Sequence, residues 1–362
     1  MGGGCITIYP MTSRIPALDG VRAVAALLVM FFHFSLANQL PEAIKKLSSL
    51  GQTGVDLFFV LSGFLITRIL VSSRSSPYYF SHFYIRRALR IMPLYYLFLM
   101  LWFFVRPVLF SIPTAPFLQQ VWSWLFLENI PLTFTAIPTQ GPNPYWSLAV
   151  EEHFYLLWPM LVYALPHRSL KGMLLAIIFL SPAVRMLFLA HGWGVYYFTF
   201  TRIDSLAFGA LVAVIYNEYL LQWHHFRWVV RVLLTGLPVL LVLLFIRYSG
   251  SHAGWLQVLK LSLTPFCFAL LMVFLLIDQS SLALRRVFTW NWMRWLGRIS
   301  YGLYIFHGLV FEAVDHCEHS GNVWLRLTLC FGLTALIAHA SYELFESKIL
   351  ALKEKFKYEA TL

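Results

Sequence analysis

The chain has 362 residues, of which 59% are hydrophobic and only 12% charged. Its formal net charge is +11. With a strongly positive mean hydropathy, this composition excludes a soluble globular domain and points to a membrane protein. The excess of positive charge raises nucleic acid as a partner, but its placement argues against that: 19 of the 27 Lys and Arg residues fall in alternate loops that would share one membrane face, and eight fall on the other side. That asymmetry is the positive-inside signature and places both termini in the cytoplasm.

Taken in chain order, apolar runs long enough to cross a bilayer as helices are expected at about 18–37, 54–71, 91–110, 145–165, 172–190, 202–219, 228–247, 257–277, 298–315 and 323–346. The reading is therefore all-α: a polytopic transmembrane bundle of about ten helices. Barrel strands would instead show short alternating segments. The expected organisation is a cytoplasmic tail over 1–16, one membrane domain over 17–346 and a cytoplasmic tail over 347–362, with its end, "KEKFKYEATL", mobile. The cysteines show no metal-ligand spacing, and no metal is expected.

Ionisable residues inside such segments are costly and mark sites or pathways. On the first span, Arg22 and His33 are eleven positions apart, which returns them to nearly the same helix face at a separation of roughly 16 Å. His33 can be a general base or a core histidine bonded to a backbone carbonyl. The second span places Asp56 near the depth of His33, and the fourth carries Glu151 and Glu152, two adjacent carboxylates that cannot both face one pocket. These could orient the imidazole, or could be helix-packing groups favoured by the helix dipole.

Positive charge gathers before the third span, in Arg86, Arg87 and Arg90 of "HFYIRRALRIMPLYY", and before the ninth, where Arg298 lies. Such a cluster can anchor a helix at an anionic leaflet, or grip phosphate oxygens with guanidinium forks. Arg202 and Asp204 begin the sixth span and read as a buried pair or as acceptor contacts. His307 lies mid-span in the ninth helix, and Tyr145 with Trp146 stands at the outer end of the fourth, where an interfacial belt or sugar stacking is expected.

The segments "LDGVRAVAALLVMFFH", "GVDLFFVLSGFLI", "FYIRRALRIMPLYY", "WSLAVEEHFYLLWP", "RIDSLAFGAL" and "ISYGLYIFH" follow one another in order. Together they resemble the acyltransferase 3 family of integral-membrane O-acyltransferases. The resemblance implies that His33 and Arg22 are needed for activity, that Arg87 and Arg90 contact an acyl-CoA donor, acetyl-CoA being expected, and that Asp56, Glu151 and Glu152 are family features. It further implies a lipid bilayer, a bacterial cytoplasmic membrane and a hydroxyl-bearing glycan or small-molecule acceptor as the chain's surroundings. The sequence departs from the family at His153, where many members have glutamine, and after "SYELFESKIL", where a proline is missing. The alternative class is a transporter that uses His33, Asp56 and Glu152 as a proton relay, and it would be expected to show paired broken helices or an internal repeat.

Overall fold

In the computed structural model, residues 15–134, 137–219, 227–247, 254–277, 282–317 and 321–356 are described. Residues 1–14 of the expected N-terminal tail and 357–362 of the C-terminal one lie outside them. Among the described residues there are helices and turns and no strand. Among the described residues, ten helices of 18 residues or more overlap the ten predicted runs: α1 (Pro16–Ala37), α2 (Thr53–Ser72), α3 (Tyr79–Met100), α4 (Trp146–Ala164), α5 (His167–Ala190), α6 (Thr199–Tyr219), α7 (Arg227–Arg247), α8 (Gly254–Ile277), α9 (Ser300–Cys317) and α10 (Val323–Ser341); α3 starts well before its predicted run, so Arg86, Arg87 and Arg90 lie within it rather than ahead of it.

Seven of these, α1, α2, α3, α5, α6, α8 and α10, are long and apolar enough to cross a membrane, several of them together with the helical turns that extend them. The chain is a multi-pass integral membrane protein. α4 and α9 interrupt their apolar runs with Glu151, Glu152 and His153 in one and His307, Glu312 and Asp315 in the other, so polarity concentrates on two helices. Large apolar side chains stand exposed on the outward faces, among them Phe179 at 75% and Leu336 at 65%, surface that hydrocarbon solvates and water does not.

Local chemistry explains how the helices begin and cross. Pro16 occupies the first turn of α1, where its missing N–H costs nothing and its fixed φ already suits a helix. α2 crosses α6 at glycines: a Cβ on Gly63 would come 2.0 Å from the Leu206 carbonyl oxygen, and one on Gly209 would come 1.9 Å from that of Val60. Only glycine allows the two backbones so near. Pro159 within α4 has no N–H to return to the carbonyl one turn back. Tyr84 and Tyr79 of α3 donate to the nearby carbonyls of Leu156 (2.8 Å) and Pro159 (3.0 Å), which ties α3 to α4. Tyr301 of α9 donates to the Ile91 carbonyl of α3 at 2.8 Å, two residues before the helix-interior Pro93.

Part of the end expected to be mobile is helical and docked. After α10 the chain continues through a wide turn at Tyr342–Glu346 into helical turns at Ser347–Ala351 and Leu352–Phe356. These turns pack on α3, where the Arg86 guanidinium donates to the carbonyls of Lys353 and Phe356, both at 3.1 Å. Charged residues there suggested a solvated strand of chain; unpaired carbonyls at a helix end supply a reason to dock.

Candidate active site

Two cavities lie between α1, α2, α3, α4 and α9. The first, of about 690 Å³, is lined by Arg22, Arg87, Arg90, Ser62, Glu151 and Tyr155 among others. The second, of about 810 Å³, is lined by His33, Trp146, Tyr196, Tyr197 and Gln52 among others. Val55 and Tyr304 belong to both linings, so one valine and one tyrosine form a shared partition. A single channel from the arginines to His33 was the expectation; the arginines and His33 line two cavities that adjoin at Val55 and Tyr304.

In the arginine chamber, three guanidiniums arrive from two helices. The Arg87 guanidinium lies over the Tyr155 ring at 5.5 Å and Arg90 lies over the Tyr301 ring at 5.8 Å, aromatic faces that hold a cation without neutralising it. Arg22, one helix away, is within the electrostatic field of both, and Asp19 approaches it at 3.9 Å. Glu151 is the carboxylate that enters this chamber: it accepts from Ser62 Oγ at 2.7 Å and from Tyr155 at 2.8 Å. Glu152 is not part of this lining, although Arg87 and Tyr301 are among its electrostatic neighbours together with Tyr95 and Tyr96, and its Oε1 has no hydrogen-bond partner among the described residues.

In the histidine chamber, His33 meets a partner on another helix. His33 Nδ1 lies 3.0 Å from His307 Nε2, and His307 Nδ1 lies 2.7 Å from the Tyr304 carbonyl oxygen one turn back on α9. His307 is fully buried. Proton positions follow from this chain of contacts. A carbonyl oxygen can only accept, so the proton of neutral His307 sits on Nδ1 and its Nε2 is bare. That bare nitrogen accepts from His33, which places the His33 proton on Nδ1 and leaves Nε2 as the basic nitrogen of the ring. When His33 Nε2 takes up a further proton, the resulting cation keeps an acceptor at its other nitrogen.

The other sequence-predicted residues are distributed differently from expectation. Asp56 does not reach His33; its Oδ1 accepts from Arg202 at 2.8 Å and from Ser205 Oγ at 3.0 Å, deep in the protein. Arg202 and Asp204 do not pair with each other. Asp204 pairs with Arg185 of α5, whose remaining donors reach the Thr201 carbonyl (2.7 Å) and Ser262 Oγ (2.8 Å). Arg185 was missed, although a single arginine in the apolar run of α5 was the signal. Arg86 is absent from the arginine chamber's lining and serves the C-terminal turns instead. Arg298 is exposed at the end of the short helix Asn291–Arg298, outside both linings.

Tyr145 was expected at an interface, yet it is buried and donates to the Ile305 carbonyl at 2.6 Å. Trp146 does line the histidine chamber, with Tyr196 and Tyr197. Tyr304 was the partition that sequence reasoning missed. Its hydroxyl donates to the Pro144 carbonyl and stands 2.7 Å from Ser147 Oγ, which fixes the ring between the two chambers. Among the described residues, no group of three or more His, Cys, Asp or Glu side chains is placed to hold a metal ion.

Helices bring a cationic cavity and a histidine-lined cavity together inside an apolar, membrane-embedded bundle. The chain belongs to the acyltransferase domain family, whose pattern matches residues 15–342. It is 30% identical over 362 residues to the putative peptidoglycan O-acetyltransferase YrhL of Bacillus subtilis, covering 92% of this chain and 55% of that protein. It is 28% identical over 371 residues to the O-acetyltransferase OatA of Staphylococcus aureus, covering 96% and 59%. The peptidoglycan O-acetyltransferase OatA of Listeria monocytogenes is 28% identical over 368 residues, covering 92% and 56%. The chain thus spans little more than half the length of these relatives. No solved structure matches it.

The histidine pair carries its own prediction. Replacing His307 with Phe removes the acceptor behind His33 while keeping an aromatic ring, and turnover is expected to fall on the order of 10²-fold, within the range a general base supplies, at unchanged donor KM. His307→Gln, whose carboxamide oxygen can still accept, should retain part of that rate. Steady-state kinetics of the two variants provide the check: equal losses in both would assign His307 a packing role.

Proposed function

We propose that the chain is a membrane O-acyltransferase that moves an acyl group, acetyl being the simplest, from acyl-CoA to a hydroxyl of a carbohydrate. The observation that carries this reading is the meeting of the two chambers at Tyr304 and Val55, with three guanidiniums in one and an imidazole in the other. Guanidinium forks suit the phosphates of coenzyme A. The arginine chamber faces the cytoplasm in this proposal, the compartment that supplies acyl-CoA. Trp146, Tyr196 and Tyr197 offer aromatic faces of the kind that stack on sugar rings. The names of the relatives point to the same acceptor class.

Chemistry would proceed at the partition. An acceptor hydroxyl gives its proton to His33 Nε2 as its oxygen attacks the thioester carbonyl. Collapse of the tetrahedral intermediate breaks the carbon–sulfur bond, and the departing thiolate takes the proton back from the imidazolium. The products are an ester and free coenzyme A, with His33 restored. His307 accepts from His33 Nδ1–H throughout and so opposes ring rotation. An acyl-histidine carrier is the competing route; an acyl adduct on His33 trapped by rapid quenching would select it.

The transporter reading needs His33, Asp56 and Glu152 in one relay. Asp56 is instead bonded to Arg202 and Ser205, and Glu152 does not line the cavity that holds His33.

The test is acetyl transfer by purified protein in detergent, with labelled acetyl-CoA and a soluble glycan acceptor. Arg90→Ala should raise the KM for acetyl-CoA about tenfold, the size expected for one charge-assisted contact, with kcat little altered. Failure of the unaltered protein to bind or consume acetyl-CoA would overturn the donor assignment.

A further inference from the structure

We propose that the C-terminal turns Ser347–Phe356 form a clasp over the mouth of the arginine chamber, in which Lys353 is a fourth cation for the phosphates of the donor and Arg86 is the anchor that holds it there. This rests on the donor reading above and extends it to a segment beyond the residues the family pattern matches.

Three observations converge on it. Arg86 belongs to the same basic run as Arg87 and Arg90, yet it is missing from the chamber lining, and its guanidinium donates to the backbone carbonyls of Lys353 and Phe356, both at 3.1 Å. Both carbonyls belong to the last described helical turn, so one arginine satisfies them and fixes the path of the chain there. The Phe356 ring adds an edge contact to His82, 5.8 Å between centroids, on the first turn of α3.

Lys353 is only partly exposed, and its electrostatic neighbours are Arg90, Arg87, Arg86 and Arg22. An unconstrained lysine would swing its ammonium into solvent, away from four like charges. Held where it is, it adds repulsion that an anion with several charges relieves. Asp19, Glu151, Glu152 and Glu346 are carboxylates near this cluster; Glu151 is already bonded to Ser62 and Tyr155, Glu152 lies within the field of Arg87, and Glu346 lies within that of Arg90. Lys353 does not line the chamber; its backbone is held by Arg86, next to Arg87, and the proposal puts it at the mouth, where the phosphorylated head of a donor would remain while its thioester passes inward.

Phosphate oxygens could come from acyl-CoA or from the headgroups of anionic lipids, and the experiment separates them. Lys353→Gln is compared with the unaltered protein in neutral detergent, using acetyl-CoA and the phosphate-free donor S-acetylpantetheine. Expected is a rise of about fivefold in the KM for acetyl-CoA, the upper end for a partly exposed charge pair. Its kcat and the KM for S-acetylpantetheine should stay unchanged, Lys353→Arg should restore the KM, and Lys355→Gln, at an exposed neighbour, should behave as the unaltered chain.

If Lys353→Gln leaves the KM for acetyl-CoA unchanged while Arg90→Ala still raises it, the clasp is overturned and the donor site stands. If the unaltered protein does not bind acetyl-CoA, the donor reading itself has failed. A loss seen only as a lower thermal midpoint in nanodiscs containing phosphatidylglycerol, with unchanged kinetics in detergent, would assign Lys353 to lipid and reject the proposal.

Discussion

His33→Ala is expected to reduce acyl transfer by about 10³-fold while the protein still binds acetyl-CoA with unchanged affinity. The reason is spatial separation: His33 lines the chamber opposite the guanidiniums, and its single interhelical hydrogen bond goes to His307 rather than to any donor-binding residue. In the proposed mechanism, removing the ring deletes the base and leaves Arg22, Arg87 and Arg90 where they were. Isothermal titration with acetyl-CoA beside a transfer assay gives both numbers. Loss of donor binding along with transfer, in a variant that retains its thermal midpoint, would contradict the division of labour between the chambers.

The second large effect is on stability. Asp56→Ala leaves the fully buried Arg202 guanidinium without its carboxylate, and breaking a buried pair in this way costs about 3–5 kcal/mol. Arg202 Nε and NH1 already lack hydrogen-bond partners among the described residues, although the cation lies 4.8 Å from the Tyr196 ring centroid. The double replacement Asp56→Leu with Arg202→Met should recover most of the loss, because two apolar side chains of similar volume leave no orphaned charge. Thermal unfolding in detergent compares the three proteins. A catalytic Asp56 would behave in the opposite way: transfer would fall with little change in midpoint, and the double replacement would not rescue it.

These two residues also mark how far sequence reasoning reaches. Helix positions were legible because lipid demands long uninterrupted apolar runs, and each predicted run is a helix. The common face of Arg22 and His33 was legible too, since it depends only on the pitch of one helix. What was not legible is the rotation of one helix against the next. Asp56 and His33 share a depth, but α2 turns its carboxylate toward α6. The same rotation about α4 decides that Glu151, and not Glu152, enters the arginine chamber. His307 was visible as a histidine in an apolar helix, yet nothing local to "ISYGLYIFH" names His33, 274 positions earlier, as its partner.

Arg86 and Lys353 show a different limit. A basic cluster reads as one functional unit in the sequence, but helical periodicity spreads Arg86 and Arg87 around α3, so neighbours in sequence serve different structures. Charge composition likewise suggested a mobile end where the backbone carbonyls found donors.

The partition at Val55 and Tyr304 bears on the membrane as much as on the reaction. A protein hollowed from opposite ends risks short-circuiting the electrochemical gradient of the cell that carries it. At that junction stand an apolar Val55 side chain and a Tyr304 phenol that donates to the Pro144 carbonyl. Under the proposed function, the point where these two side chains meet has to pass a small carbon fragment and not an ion.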